Sequence, residues 1–132
     1  MPLVVKVNRA SISPLGECGV SVPPYKGADP RSGDPAFLWT CETADGEGLA
    51  MRGIVSGVTG HGGRVDLRIR ITDRAPSRAL TKEMLRPYRN GGADPVMVSL
   101  AGKLYRHAHT KVADLTNDEA RFLDGFFVRT DP

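Results

Sequence analysis

The densest group of side chains able to do chemistry is Tyr105-Arg106-His107-Ala108-His109-Thr110. In extended geometry Tyr105, His107 and His109 share one face, and Arg106, Ala108 and Thr110 share the other. Two histidines at i, i+2 suit a metal, but no carboxylate or third histidine stands at a matching spacing, and His61, His107 and His109 form no zinc signature. Acid–base catalysis by one of them needs a partner that the sequence does not identify. Binding chemistry is easier to build: rings stack, while Arg and His donate to oxygen or nitrogen acceptors. A half-exposed strand with a solvated polar face accounts for the same residues.

Two further groups are notable. The only tryptophan, Trp39, closes the apolar run Ala36-Phe37-Leu38-Trp39. The glycine-led run Gly48-Leu49-Ala50-Met51-Arg52-Gly53-Ile54-Val55 follows it. An aromatic at a strand edge beside a close backbone approach makes a wall for a flat ligand; a buried tryptophan in a small core is the alternative. Positive charge gathers at Arg64, Arg68, Arg70, Arg74 and Arg78, then Lys82, Arg86 and Arg89. Clustered charge of this kind binds anions or forms an ordinary solvated face. Asp66 reads as the balance to Arg64 and Arg68 and not as a base. There is no Gly-x-Ser-x-Gly nucleophile motif and no phosphate-cradling loop ending in Gly-Lys-Ser/Thr. Gly60-His61-Gly62-Gly63 reads as a tight turn needing positive φ.

The elements that must position these residues are short. Val4, Val5 and Val7 indicate a first strand. Residues 11–32 form a long Pro- and Gly-rich loop, in which prolines exclude a central strand or helix interior and Tyr25 is a candidate pocket residue. Residues 36–41 and 49–58 form a hairpin around Asp45-Gly46, with Gly53 and Gly57 marking bulges or bends. Residues 64–71 alternate cleanly, with Val65, Leu67, Ile69 and Ile71 on the buried face. Thr81 caps two helical turns over Lys82 to Tyr88, with Met84 and Leu85 facing inward. Val96, Val98 and Leu100 suggest a strand, and residues 111–115 another. Thr116 to Glu119 form a capping box opening a helix with Ala120, Leu123 and Phe127. The order β-β-β-β-α-β-β-α favours an α+β domain: a strongly curved sheet or partly closed barrel of five or six strands flanked by short helices.

Composition agrees. The 132 residues make a single domain, 40% apolar and 25% charged, with 15 Gly and 10 Pro that suit a turn-rich β protein. The net charge of +3 permits an anionic partner without requiring one. Cys18 and Cys41 are too few for a disulfide scaffold and read as free thiols. Without a signal-peptide core or a membrane-length apolar run, the expectation is a cytoplasmic protein with no membrane contact.

In order and local pattern the chain resembles the EVE domain of the PUA-like superfamily. Gly33-Asp34-Pro35-Ala36-Phe37-Leu38-Trp39 looks like that family's Gly-Asp followed by a strand ending in an aromatic. Residues 48–55 and 65–71 look like its next two strands. Leu80-Thr81-Lys82-Glu83-Met84-Leu85 resembles its short "Leu-Thr… Leu" helix, and Leu115-Thr116-Asn117-Asp118-Glu119-Ala120 its closing helix. The likeness covers residues 33–127; residues 11–32 are longer than the family's N-terminal segment and do not align.

The resemblance implies a PUA-like β-pseudo-barrel with an aromatic-lined cleft that reads a modified nucleobase in DNA or RNA without a cofactor. In that reading Trp39 stacks on the base. Thr40 and the backbone near Met51 and Arg52 bond its edge, Tyr25 or Tyr105 joins Trp39 in the cage, and Arg68, Arg70 and Arg106 bind phosphate. The alternative is a small hydrolase of the related ASCH-like branch acting on nucleosides or nucleic acid, with Lys103, Tyr105 or a histidine as catalyst.

Overall fold

The computed structural model describes residues 1–8, 16–22, 29–43, 46–104 and 111–127. Among these residues six strands form one curled, mixed sheet, a half-barrel, with three short helices: β1 (Leu3–Val7), β2 (Glu17–Val22), β3 (Pro35–Thr43), β4 (Gly46–His61), β5 (Arg64–Asp73), α1 (Lys82–Leu85), α2 (Pro95–Leu104), β6 (Lys111–Asp114) and α3 (Asn117–Asp124). The strand order is β2-β5-β4-β3-β1-β6. Only the β1–β3 pair is parallel; the others are antiparallel.

The expected hairpin is β3–β4, and its irregularities curl the sheet. The β4–β5 register shifts between Arg52 and Gly53 and again between Val55 and Gly57. Each extra residue bends the strand and increases its twist. At Gly53 an added Cβ would run into the Arg70 carbonyl oxygen and Ile69 Cγ2, so the strands approach this closely only with glycine there. The turn into β5 uses Gly62 and Gly63 at φ of 60° and 76°, the left-handed region where glycine carries no Cβ penalty.

Alternation along the strands divides the apolar residues between two faces. On the inner face Val5, Val7, Cys18, Leu38, Val55, Leu67 and Ile69 fill the concavity. On the other face Val4, Phe37, Trp39 and Leu49 pack against Leu85, Leu100, Leu104 and Leu123 from the helices. At β5 the predicted alternation holds: Leu67 and Ile69 are buried, while Arg64, Asp66, Arg68 and Arg70 are exposed.

Two elements differ from the sequence reading. Residues 11–32 are not wholly loop, because β2 lies within them and, among the described residues, is an edge strand paired with β5 alone. Cys18, Val20 and Val22 alternate between flanking prolines and supply its inward face. The run around Val96, Val98 and Leu100 is helix α2 and not a strand. Asp94 Oδ1 accepts from the backbone N–H groups of Val96 and Met97 at 3.1 and 3.3 Å, Pro95 opens the helix, and the buried positions Met97, Leu100, Ala101 and Leu104 follow helical spacing. In α1, Leu85 is buried as expected, whereas Met84 faces solvent, and the Thr81 side chain makes no capping bond. The capping box of α3 is present in both directions: Glu119 N–H donates to Thr116 Oγ1 at 3.1 Å and Thr116 N–H to Glu119 Oε1 at 2.9 Å.

Candidate nucleic-acid interface

The residues expected to line one cleft are distributed over both faces of the sheet. Trp39 has no exposed surface; its ring belongs to the core beneath the helices. Its indole N–H donates to Glu47 Oε1 at 3.1 Å. The same carboxylate takes Lys6 Nζ at 3.0 Å and Lys82 Nζ at 3.5 Å, and Lys6 also donates to the Leu104 carbonyl at the end of α2 at 3.1 Å. Trp39 is therefore not an open stacking wall. Its ring and N–H anchor a buried ionic group that joins β1, β3, β4 and the helices.

Thr40, the next residue, necessarily points to the opposite face. It is fully buried, and its hydroxyl has no hydrogen-bond partner among the described residues. Met51 pairs with Leu38 and packs in the inner core. Arg52, on the helix side with Phe37, donates through Nε to Asp73 at 2.8 Å and through Nη1 to Asp124 at 3.0 Å. Its guanidinium lies 5.0 Å from the centre of the Phe127 ring. Hydrogen bonds and charges from Asp73 and Asp124 raise its pKa further against the opposing effect of burial. It latches α3 to the sheet and is not available to a base. Tyr25, Tyr105 and Arg106 lie outside the described residues.

Lys103, the candidate catalyst of the alternative reading, donates to Glu119 Oε1 at 2.6 Å and to the Asp114 carbonyl at 2.9 Å. Ser99 Oγ donates to the other Glu119 oxygen at 2.9 Å. This group joins α2, β6 and α3. Burial alone would raise the pKa of Glu119, but the hydrogen bonds of Lys103, Thr116 and Ser99 outweigh it and hold the carboxyl below its ordinary 4.5. Glu47 behaves alike: burial opposes ionisation, while hydrogen bonds from Lys6 and Trp39 and the charges of Lys6 and Lys82 lower its pKa overall.

A carboxylate whose folded pKa is depressed stabilises the fold fully above its unfolded pKa, and that stability is lost as pH falls through the folded value. The expected result is a urea midpoint to which these two groups contribute fully, and without pH dependence of their own, between about pH 7 and 5.5. A fall begins near the ordinary carboxylate value of 4.5 and continues below it. The fall should be shallower in Glu119→Gln, measured by fluorescence-detected unfolding across that range.

The arginines of β5 stand apart from these internal networks. Arg68 and Arg70 are exposed on the outer face, and their side chains make no hydrogen bond or ion pair among the described residues; the Arg68 carbonyl accepts from Ser56 Oγ at 3.1 Å. Arg64, on the same face, donates to the hydroxyl and carbonyl of Ser21 at 3.2 and 2.7 Å, which ties edge strand β2 to β5. Cross-strand pairing sets Gly19 and Gly57 on either side of Arg68, and Ser21 and Thr59 on either side of Asp66. With so little side chain on its neighbours, this part of the face is a groove of about 610 Å³ lined by Gly19, Ser21, Ser56, Gly57, Asp66 and Arg68 among others. Sequence alternation had placed the arginines on one face. The glycines opposite Arg68 were hidden because register between distant strands cannot be read locally.

Among the described residues no group of three or more His, Cys, Asp or Glu is placed to hold a metal ion, and no helix is long and apolar enough to cross a membrane. Burial pushes the Cys18 thiol up to about 11, which makes it a poor nucleophile at neutral pH. No protein-family model, curated protein or solved structure matches the chain.

Proposed function

We propose that the chain is a nucleic-acid-binding module that holds the phosphodiester backbone on the outer face of β5. One observation carries this reading: the side chains of Arg68 and Arg70 project from one face of a strand paired on both sides, with no intramolecular partner among the described residues. Other arginines are committed within the fold, Arg52 to Asp73 and Asp124 and Arg86 to Glu83. Guanidinium groups carried on neighbouring positions of one strand face, with Arg64 beside them, present donors matched to phosphate oxygens. They supply the sequence-independent, salt-sensitive part of nucleic-acid affinity. The curled sheet with helices on one face also supports reading the fold as a PUA-like pseudo-barrel.

This proposal gives up Trp39 as the base-stacking wall. The finer expectation, a modified base held by aromatic rings, retains Tyr25 and Tyr105, both outside the described residues. The hydrolase alternative is weakened by the structural engagement of Lys103.

The test is a titration of labelled single-stranded oligonucleotides by fluorescence anisotropy. Arg68→Gln with Arg70→Gln should weaken binding by about tenfold or more, at the scale of losing two charge-assisted hydrogen bonds discounted for exposure. Arg121→Gln, on exposed α3 surface, should leave it unchanged. Equal losses at both sites would point to net charge alone and reject the assigned face. Oligonucleotides with 5-modified cytosines belong in the same titration: preference over unmodified controls supports modified-base reading, and equal affinity removes it.

A further inference from the structure

The groove beside Arg68 is more than a basic surface, because among the described residues that line it stands one carboxylate, Asp66. Asp66 is exposed between Arg64 and Arg68 on the same strand face, and no ion pair to it exists among the described residues. The expected charge balance with its neighbours is not made as a contact. On either side of Asp66 stand the hydroxyl residues Ser21 and Thr59, and on either side of Arg68 stand Gly19 and Gly57. An added Cβ at Gly19 would meet nothing within 4 Å, and one at Gly57 would meet only Arg68 Cβ at 3.8 Å. The glycines thus leave open space where strand neighbours would ordinarily cover the arginine stem. A groove of about 610 Å³ lies within the usual range for small-ligand sites.

We propose that this groove seats one nucleotide of a single strand and, between the pyrimidines, selects cytosine over thymine or uracil, with Asp66 at the base edge and Arg68 at the adjoining phosphate. The inference rests on the nucleic-acid reading above and gives it a base preference. An ionised carboxylate accepts hydrogen bonds and donates none. Cytosine presents its exocyclic N4 amine as a donor, the partner that Asp and Glu take when they read this base. Thymine and uracil present a carbonyl oxygen at the same position, which the carboxylate repels. The hydroxyls of Ser21 and Thr59 can donate or accept, so they serve the rest of the edge without setting the choice. Thr59 is free to do so among the described residues, and Ser21 keeps its own proton while accepting from Arg64.

The deciding experiment titrates the purified chain with labelled oligo(dC), oligo(dT), oligo(rC) and oligo(rU) of equal length at one salt concentration. Cytosine oligonucleotides are expected to bind about five- to tenfold tighter than their thymine or uracil counterparts, the lower part of the discrimination one base contact supplies. The DNA and RNA arms identify which backbone is preferred. Asp66→Asn should bring the ratio close to one, mainly by tightening the thymine and uracil complexes. A misfolded variant cannot produce that gain. Gly19→Val, whose Cβ would meet nothing within 4 Å and which suits a strand, is expected to crowd the groove and abolish the preference while leaving the unfolding temperature at or above that of the wild type. Equal affinity for all bases in the wild type, or a preference surviving in Asp66→Asn, overturns this inference and leaves the phosphate-binding reading standing. Absence of binding to every oligonucleotide overturns both.

Discussion

Trp39→Ala is expected to lower the stability of the fold by about 3–5 kcal/mol, the range for truncating a fully buried large aromatic. Such a loss is a large part of the 5–15 kcal/mol that holds a typical domain together. Two effects contribute. The ring is completely enclosed between Phe37, Leu49 and the helices, so its removal leaves a cavity that the surrounding side chains fill only in part. Its indole N–H also donates to Glu47, and that carboxylate has little solvent to replace the lost bond. Trp39→Phe separates the two contributions: it keeps most of the apolar volume and removes the donor, for an expected cost of about 1–2 kcal/mol. Urea unfolding followed by far-ultraviolet circular dichroism reads both. A Trp39→Ala variant as stable as the wild type, yet defective in binding oligonucleotides, would restore the tryptophan to the ligand and contradict its place in the core.

The second large effect is expected at Glu47. Its carboxylate faces Lys6, whose side chain is only 4% exposed. Removing one partner of a buried pair leaves the other charge without compensation, at a cost of about 3–5 kcal/mol. Because the Glu47 side chain is itself 17% exposed, Glu47→Ala should fall near the lower end. Lys6→Met should cost less, because Glu47 keeps Lys82 and Trp39. The double variant Lys6→Met with Glu47→Gln should be more stable than Glu47→Ala alone, since no buried ammonium then remains. The ordering of the three unfolding free energies is the check. A double variant less stable than Glu47→Ala would show that the pair acts through packing and not through charge.

These two residues also show how much could be read from sequence and where reading stopped. The β5 strand, the β3–β4 hairpin, the bends at Gly53 and Gly57 and the α3 capping box were legible because each is written in adjacent residues: alternation, a turn dipeptide, glycine within a strand, Thr followed by Glu. Strand β2 carried the same signal in Cys18, Val20 and Val22, but the surrounding prolines obscured it. In α2, Val96, Val98 and Leu100 fit a period of two, while Met97, Leu100, Ala101 and Leu104 fit the helical period. The cap from Asp94 and the packing against the sheet decided between them.

The site was less legible, for a geometric reason. Trp39 and Thr40 are consecutive on a strand and cannot face the same cleft. Met51 and Arg52 divide in the same way between the inner core and the helix side. The partnership of Trp39 and Lys6 with Glu47 depends on parallel pairing of β1 with β3, a long-range register that no local pattern encodes. The arginine face was visible as alternation, but its groove required Gly19 from one neighbouring strand and Gly57 from the other.

The most direct test of phosphate binding on this face is the salt dependence of oligonucleotide affinity. For a single strand, the logarithm of the binding constant falls against the logarithm of salt concentration with a slope of about −0.7 per phosphate contacted. Replacing both Arg68 and Arg70 with Gln should therefore make the slope shallower by about 1.4 and weaken binding to every sequence alike. A double variant that keeps the wild-type slope would contradict the assignment of phosphate binding to the outer face of β5.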